Sequence, residues 1–212
     1  MVPDYAKARQ GRRAHYDEAT IHAILDTGLV GHVGFVAEGR PMVIPMAFAR
    51  SGSTLYIHGA SKTRLMGLDG QKLCLTVTHL TGIVVARSSF HHSVNYRSAV
   101  IHGEARRVTG EEHHRALDAV TNHLLPGRTS ELRAMTAQEL KATGVIALEI
   151  EAASAKIRTG PPIEDPVDLP STLWGGVVPV VTALGTGIQD AHTPEGVPLP
   201  ASIRAAQAKF VA

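Results

Sequence analysis

Cysteine is almost missing from this chain. Cys74 stands alone, which excludes an intramolecular disulfide and a cysteine-rich zinc site, and its lone thiol fits a reducing compartment, so a cytoplasmic location is expected. Charge of one sign is not in excess either. Lysine and arginine total 21 against 19 aspartates and glutamates, a net charge of +2, so no basic block announces a nucleic-acid surface or an anionic membrane. Long hydrophobic runs are absent, and no stretch approaches the ~20 apolar residues of a membrane span. The Arg12-Arg13 pair is followed by polar residues, where an export signal requires an apolar run. P-loop, nucleophile-elbow and dinucleotide glycine fingerprints are also missing, since Gly31-His32-Val33-Gly34 lacks the spacing of the last. With so little catalytic equipment in the chain itself, a cofactor is expected to carry the chemistry.

What is present is a foldable core and many histidines. Hydrophobic residues make up 44% of 212 and charged residues 19%, enough for one folded domain with a small appendage. The 12 histidines are scattered, which argues against one metal cage. His91-His92 are adjacent on an extended chain, where neighbouring side chains diverge, and neither stands at zinc-motif spacing, so no metal site is expected. His102 fits a core histidine, and His113-His114, beside Glu111-Glu112, fits an exposed helix start.

Turn and periodicity signals outline the elements. Thr20 is expected to cap a short helix that buries Ile21, Ile24 and Leu25 and stops at Gly28. Strand segments follow at 30–36, 41–49, 54–58, 73–80, 83–86 and 95–108, with a hairpin turn at 37–40. Residues 59–70 are expected to form a short helix carrying Ser61, Lys62 and Arg64 in its first turn. Capping boxes at Thr109 and Thr136 open two more helices, and the alternation over 144–158 predicts one long strand. Residues 161–212, rich in proline and glycine, form an extended arm that carries Trp174, the single tryptophan, and 1–160 form the main domain. The whole is mainly β with peripheral helices, an antiparallel meander or Greek-key barrel.

Two stretches concentrate hydrogen-bonding groups. Ser61-Lys62-Thr63-Arg64 at a helix start is either a phosphate-sized anion site or a solvated terminus. In 95–103, Tyr96, Ser98, Val100 and His102 face one way, and Asn95, Arg97, Ala99, Ile101 and Gly103 the other. Neither face is purely polar, so both are expected to be covered. Arg97 needs a partner there, because a buried unpaired charge costs several kcal/mol.

The ordered set Arg13-x-x-Tyr16-Asp17, Gly31-His-Val-Gly-Phe35, Pro41-Met-Val-Ile-Pro45, Leu55-Tyr-Ile-His-Gly59, Ser61-Lys-Thr-Arg64, Ala86-Arg-Ser88, His92-Ser-Val-Asn-Tyr-Arg-Ser98 and Trp174-x-Gly-x-Val-Pro179 resembles the pyridoxamine 5′-phosphate oxidase-like superfamily, in its flavin-nucleotide-binding, nitroimidazole-resistance-like branch. The resemblance spans residues 13 to 179. It implies a split β-barrel, a homodimer and FMN in two equivalent clefts between subunits. It further implies that Ser61, Lys62 and Arg64 hold the phosphate, that the strand through Pro45 and Met46 runs beside the isoalloxazine, and that His58 sits near the ring or ribityl chain. Ser93, Asn95, Tyr96, Arg97 and Trp174 would enter from the partner subunit. Fold and cofactor carry over on this basis, whereas the reaction does not. The leading expectation is an FMN-dependent oxidoreductase of a small-molecule substrate, with NAD(P)H as a candidate donor. A flavin carrier or sensor and a haem-handling split barrel stand as alternatives.

Overall fold

The computed structural model describes residues 2–210. Strand β1 (Ala14–His15) is followed by helix α1 (Glu18–Asp26) and by strands β2 (Gly31–Ala37), β3 (Arg40–Met46), β4 (Phe48–Ser51), β5 (Thr54–Ala60), β6 (Lys72–Val85) and β7 (Ser93–Arg107). Helices α2 (Gly110–Leu124) and α3 (Ala137–Ala142) come next, then β8 (Thr143–Glu149), β9 (Ala152–Arg158), β10 (Gly176–Pro179) and helix α4 (Ala201–Lys209). Among the described residues no helix is long and apolar enough to cross a membrane.

All pairings are antiparallel, in the order β3-β2-β6-β7-β8-β5-β4, with β9 on β7, β1 on β9 and β10 on β6. The architecture is a split β-barrel with peripheral helices. Strand β7 joins its two halves. It pairs β9 from Tyr96 to His102 and β8 from Ala105 to Arg107, and Gly103 sits at the changeover. A Cβ there would overlap the Glu149 carbonyl oxygen and approach Leu148 Cδ1 to 3.0 Å, so only glycine lets the strands cross this closely.

The interior follows from period-2 alternation. Val33 and Phe35 of β2, Leu75 and Val77 of β6, and Ala99 and Ile101 of β7 point inward to meet Ile24 and Leu25 of α1 and Phe48, Leu55, Ile57, Ile146 and Leu148. The Glu38-Gly39 hairpin has both central residues at positive φ, 53° and 72°, as a two-residue turn matching strand twist requires.

Several expected boundaries move. Asp17, not Thr20, caps α1, its Oδ1 accepting from the Thr20 N–H at 2.8 Å. The 41–49 segment divides at Ala47 because β4 leaves β2 to pair with β5. The 73–80 and 83–86 segments are one strand, broken in register by a bulge at Thr81, whose carbonyl accepts from the Val180 N–H at 3.2 Å. The single strand expected over 144–158 is two, because the chain passes from one barrel half to the other at Ile150-Glu151. There the Glu151 N–H reaches the His102 carbonyl. Residues 59–70 hold only a 3₁₀ turn, Arg64–Leu68, so Ser61 and Lys62 precede it. The Thr136 capping box is complete, but Thr109 makes no side-chain cap. Its partner Glu112 is instead held by Arg106 and the Tyr56 hydroxyl. The arm adds β10 to the edge of β6 and ends in α4, where Ser202 donates to Glu131 and Lys209 Nζ reaches the His123 carbonyl.

Candidate functional site

The candidate residues fall into two groups, one at the turn after β5 and one on β7 and beside β10. In the first, β5 ends at His58-Gly59-Ala60 and turns outward. The Ser61 N–H is spent on the Ala142 carbonyl at 2.8 Å and the Thr63 hydroxyl on the Ala60 carbonyl at 2.9 Å. Buried Leu65, Met66 and Leu68 anchor the turn that follows. Lys62 and Arg64 are exposed, and no carboxylate pairs with either among the described residues. Two cations held at a fixed turn, with no internal anion, are the minimum of a phosphate site. Met46 lies close by, its Cε 3.9 Å from a Cβ built on Gly59. Pro45 is exposed on β3, a strand that pairs only with β2, so one row of its backbone groups is free to meet a ligand.

His58 is half-buried, and its Nδ1 is buried without a partner. Burial lowers its pKa from the ordinary imidazole value, so the ring is neutral near pH 7 and carries an unused nitrogen.

The second group gathers where β6, β7 and β10 meet. Gly176 pairs Val85, and Val84 pairs Ser93, so the sheet brings Trp174 and Ser93 to the same end although they are far apart in sequence. Glu164 accepts from the Arg87 backbone at 3.1 Å and its guanidinium at 3.0 Å, and His91 contacts Asp165 at 3.1 Å. These bonds pin the arm beside Trp174, whose ring is 63% exposed. Arg97 lines a cavity of about 320 Å³ with Thr27, His32, His79, Leu80 and Phe210. Its Nη2 reaches Thr27 Oγ1 at 3.5 Å and its Nε is buried without a partner. Tyr96, on the opposite face, carries Lys156 over its ring at 5.8 Å. Asn95 is buried and committed within its own chain, donating to the Gly160 carbonyl at 3.1 Å and accepting from Arg158. It shapes the strand end and keeps one amide hydrogen and one oxygen lone pair uncommitted by these two bonds.

Sequence reasoning missed His79 and Arg158. His79 Nε2 lies 3.0 Å from the Ile24 carbonyl, tying β6 to α1 beneath Arg97. Arg158 ends the alternation of β9 on the same face as Ser154 and Lys156, which a division of 144–158 at Ile150 would have exposed.

His58, His79, His102 and His123 all have pKa values lowered, chiefly by burial. Because the folded values lie below the unfolded one, the unfolded chain takes up protons first as pH falls. Their contribution is therefore complete above about pH 6.5 and declines below it. The urea midpoint is expected to be lower at pH 5.5 than at pH 7.5, with part of the difference removed in His123→Gln. A midpoint unchanged or higher at pH 5.5 contradicts this.

Residues 17–157 match the family model described as pyridoxamine 5′-phosphate oxidase. No curated protein matches the chain. Among solved structures, the flavocytochrome Anf3 from Azotobacter vinelandii is 37% identical, with 96% of each chain covered and a TM-score of 0.89. The FAD and haem binding protein from Mycobacterium smegmatis is also 37% identical, with 92% of this chain and 97% of that one covered and a TM-score of 0.88. A Bacteroides thetaiotaomicron protein assigned to 5-nitroimidazole antibiotic resistance shares the fold at 19% identity, with 71% and 95% covered and a TM-score of 0.55.

Proposed function

The chain belongs to the pyridoxamine 5′-phosphate oxidase family, and from that premise we propose that it is a flavin-nucleotide-binding redox protein acting as a homodimer, with a cofactor cleft between subunits. The observation that carries this reading is the exposed Lys62-Arg64 pair at the end of β5, without carboxylate partners among the described residues. A phosphate there replaces the missing counterion. Lys62 and Arg64 follow β5, which pairs with neither β7 nor β10, the strands that carry Arg97 and follow Trp174, and this supports a cleft completed by a two-fold partner. A bound flavin supplies one- and two-electron chemistry. The protein's part is to grip the phosphate through Lys62 and Arg64, offer the free backbone edge of β3, cover the ring with Trp174 and supply the un-neutralised charge of Arg97. FMN satisfies the single phosphate site at the β5 turn, and FAD is what the Mycobacterium smegmatis relative is named for.

A second reading adds haem. Both 37%-identical structures are named for it, as a flavocytochrome and as a haem binding protein, and His58 offers a neutral imidazole with a buried unpartnered nitrogen. The absorption spectrum of the purified protein, with mass spectrometry of what denaturation releases, tests both. The expected result is a flavin spectrum and a released flavin, together with a Soret band that His58→Ala removes or shifts while the flavin remains. A colourless protein that takes up neither FMN nor FAD overturns the proposal. Saturable reduction by NADH or NADPH in stopped flow separates an oxidoreductase from a carrier or sensor.

A further inference from the structure

A hollow of about 560 Å³ lies where the N-terminal segment crosses the end of β9. It is lined by residues that include Arg12, Arg13, Arg158, Thr159, Pro162 and Ile163. Three arginines therefore line one space. Arg158 is the informative one, because it is 94% buried, at 6% exposure. It donates one bond to Asn95 Oδ1, and its Nε is buried with no partner. None of the three arginines pairs with an aspartate or glutamate among the described residues. The carboxylates that follow the hollow in sequence are already committed, Glu164 to Arg87 and Asp165 to His91.

Like charges lining one space repel, and a buried guanidinium without an anion is costly. Lowering of the Arg158 pKa by burial and by the neighbouring Arg13 expresses that conflict. An anion of two or more charges would resolve it. The planar forks of arginine match phosphate oxygens two at a time, and the number of cations favours a phosphate over a single carboxylate.

We propose that Arg12, Arg13 and Arg158 form a phosphate-binding site, distinct from the Lys62 and Arg64 cluster, for a phosphate or diphosphate ester. The group comes either from the second phosphate of a flavin dinucleotide or from a separate phosphorylated ligand. The first source rests on the flavin reading above and the second does not.

The test compares the full-length protein with an Arg12→Gln/Arg13→Gln double variant. Both changes lie near the surface, so folding is preserved even where Arg158→Gln, which breaks the Asn95 bond, destabilises the chain. If the dinucleotide is the source, the variant purifies with at least fivefold less FAD while its affinity for FMN is unchanged. If a separate ligand is the source, flavin content is unchanged and calorimetric titration with inorganic pyrophosphate shows at least tenfold weaker binding to the variant. The proposal is overturned if neither flavin content nor pyrophosphate affinity differs between the two proteins, a result expected if a carboxylate of a second copy fills the hollow. Because the pyrophosphate titration does not depend on flavin, failure of this site and failure of the flavin reading give different results.

Discussion

Gly103→Ala is expected to lower stability by about 3 kcal/mol or more, at the upper end of what an overpacked position costs. For a chain of this size that corresponds to a fall in Tm of roughly 6–12 °C. The obstacle is backbone. A Cβ at Gly103 would overlap the Glu149 carbonyl oxygen, with Leu148 Cδ1 at 3.0 Å behind it. That carbonyl cannot move without disturbing the passage from β8 to β9, which is fixed by the Ile150 N–H on Ser53 and the Glu151 N–H on His102. Gly144→Ala is the control. Its Cβ would also meet an obstacle, but this one is the flexible thioether of Met66, which can rotate away. Thermal melts of the two variants are expected to differ by several degrees, with Gly103→Ala the worse. A Gly103→Ala protein melting within ~2 °C of the parent removes the close crossing as a determinant of the fold.

Loss of the Lys62-Arg64 pair is expected to have the largest functional effect. Each charge-assisted bond to a phosphate contributes roughly 1.5–3 kcal/mol, so Lys62→Ala/Arg64→Ala is expected to weaken flavin binding about 100-fold or more. Both side chains are exposed, and the buried Leu65, Met66 and Leu68 that anchor the turn are untouched. The melting temperature in the absence of cofactor is therefore expected to hold. Ser61→Ala is expected to cost far less, since its backbone N–H already serves the Ala142 carbonyl and only its hydroxyl is lost. Fluorescence titration of FMN and FAD into the three proteins checks this. An affinity of the double variant within threefold of the parent would place the phosphate elsewhere.

Local chemistry made much of the barrel legible. Glu38-Gly39 announced its hairpin, Thr136 its complete capping box, and the spacing of Ile21, Ile24 and Leu25 the buried face of α1. Legibility ended where partners are distant in sequence. The division of 144–158 into two strands is decided by contacts with Ser53 and His102. The expected helix at 59–70 yielded to a 3₁₀ turn because its apolar residues are drawn down against the barrel. In the candidate site, Lys62 and Arg64 stood out as two cations near an expected helix start and Arg97 as a charge on a covered strand, whereas His58 entered through the family resemblance. Asn95 stood out equally, and only the structure shows its amide bonded to Gly160 and Arg158 of its own chain.

By itself the sequence determined that this is a β-rich chain, which face of α1 is buried, and that Lys62 and Arg64 sit between elements, because spacing, turn chemistry and charge are properties of neighbours. Which cations go without a carboxylate was decided only by the tertiary structure. Glu164 and Asp165 are spent on Arg87 and His91, and so Arg158 is left beside Arg12 and Arg13 with no carboxylate partner among the described residues. Whether a buried charge is satisfied depends on every group within a few ångströms of it, and those groups are assembled from all parts of the chain.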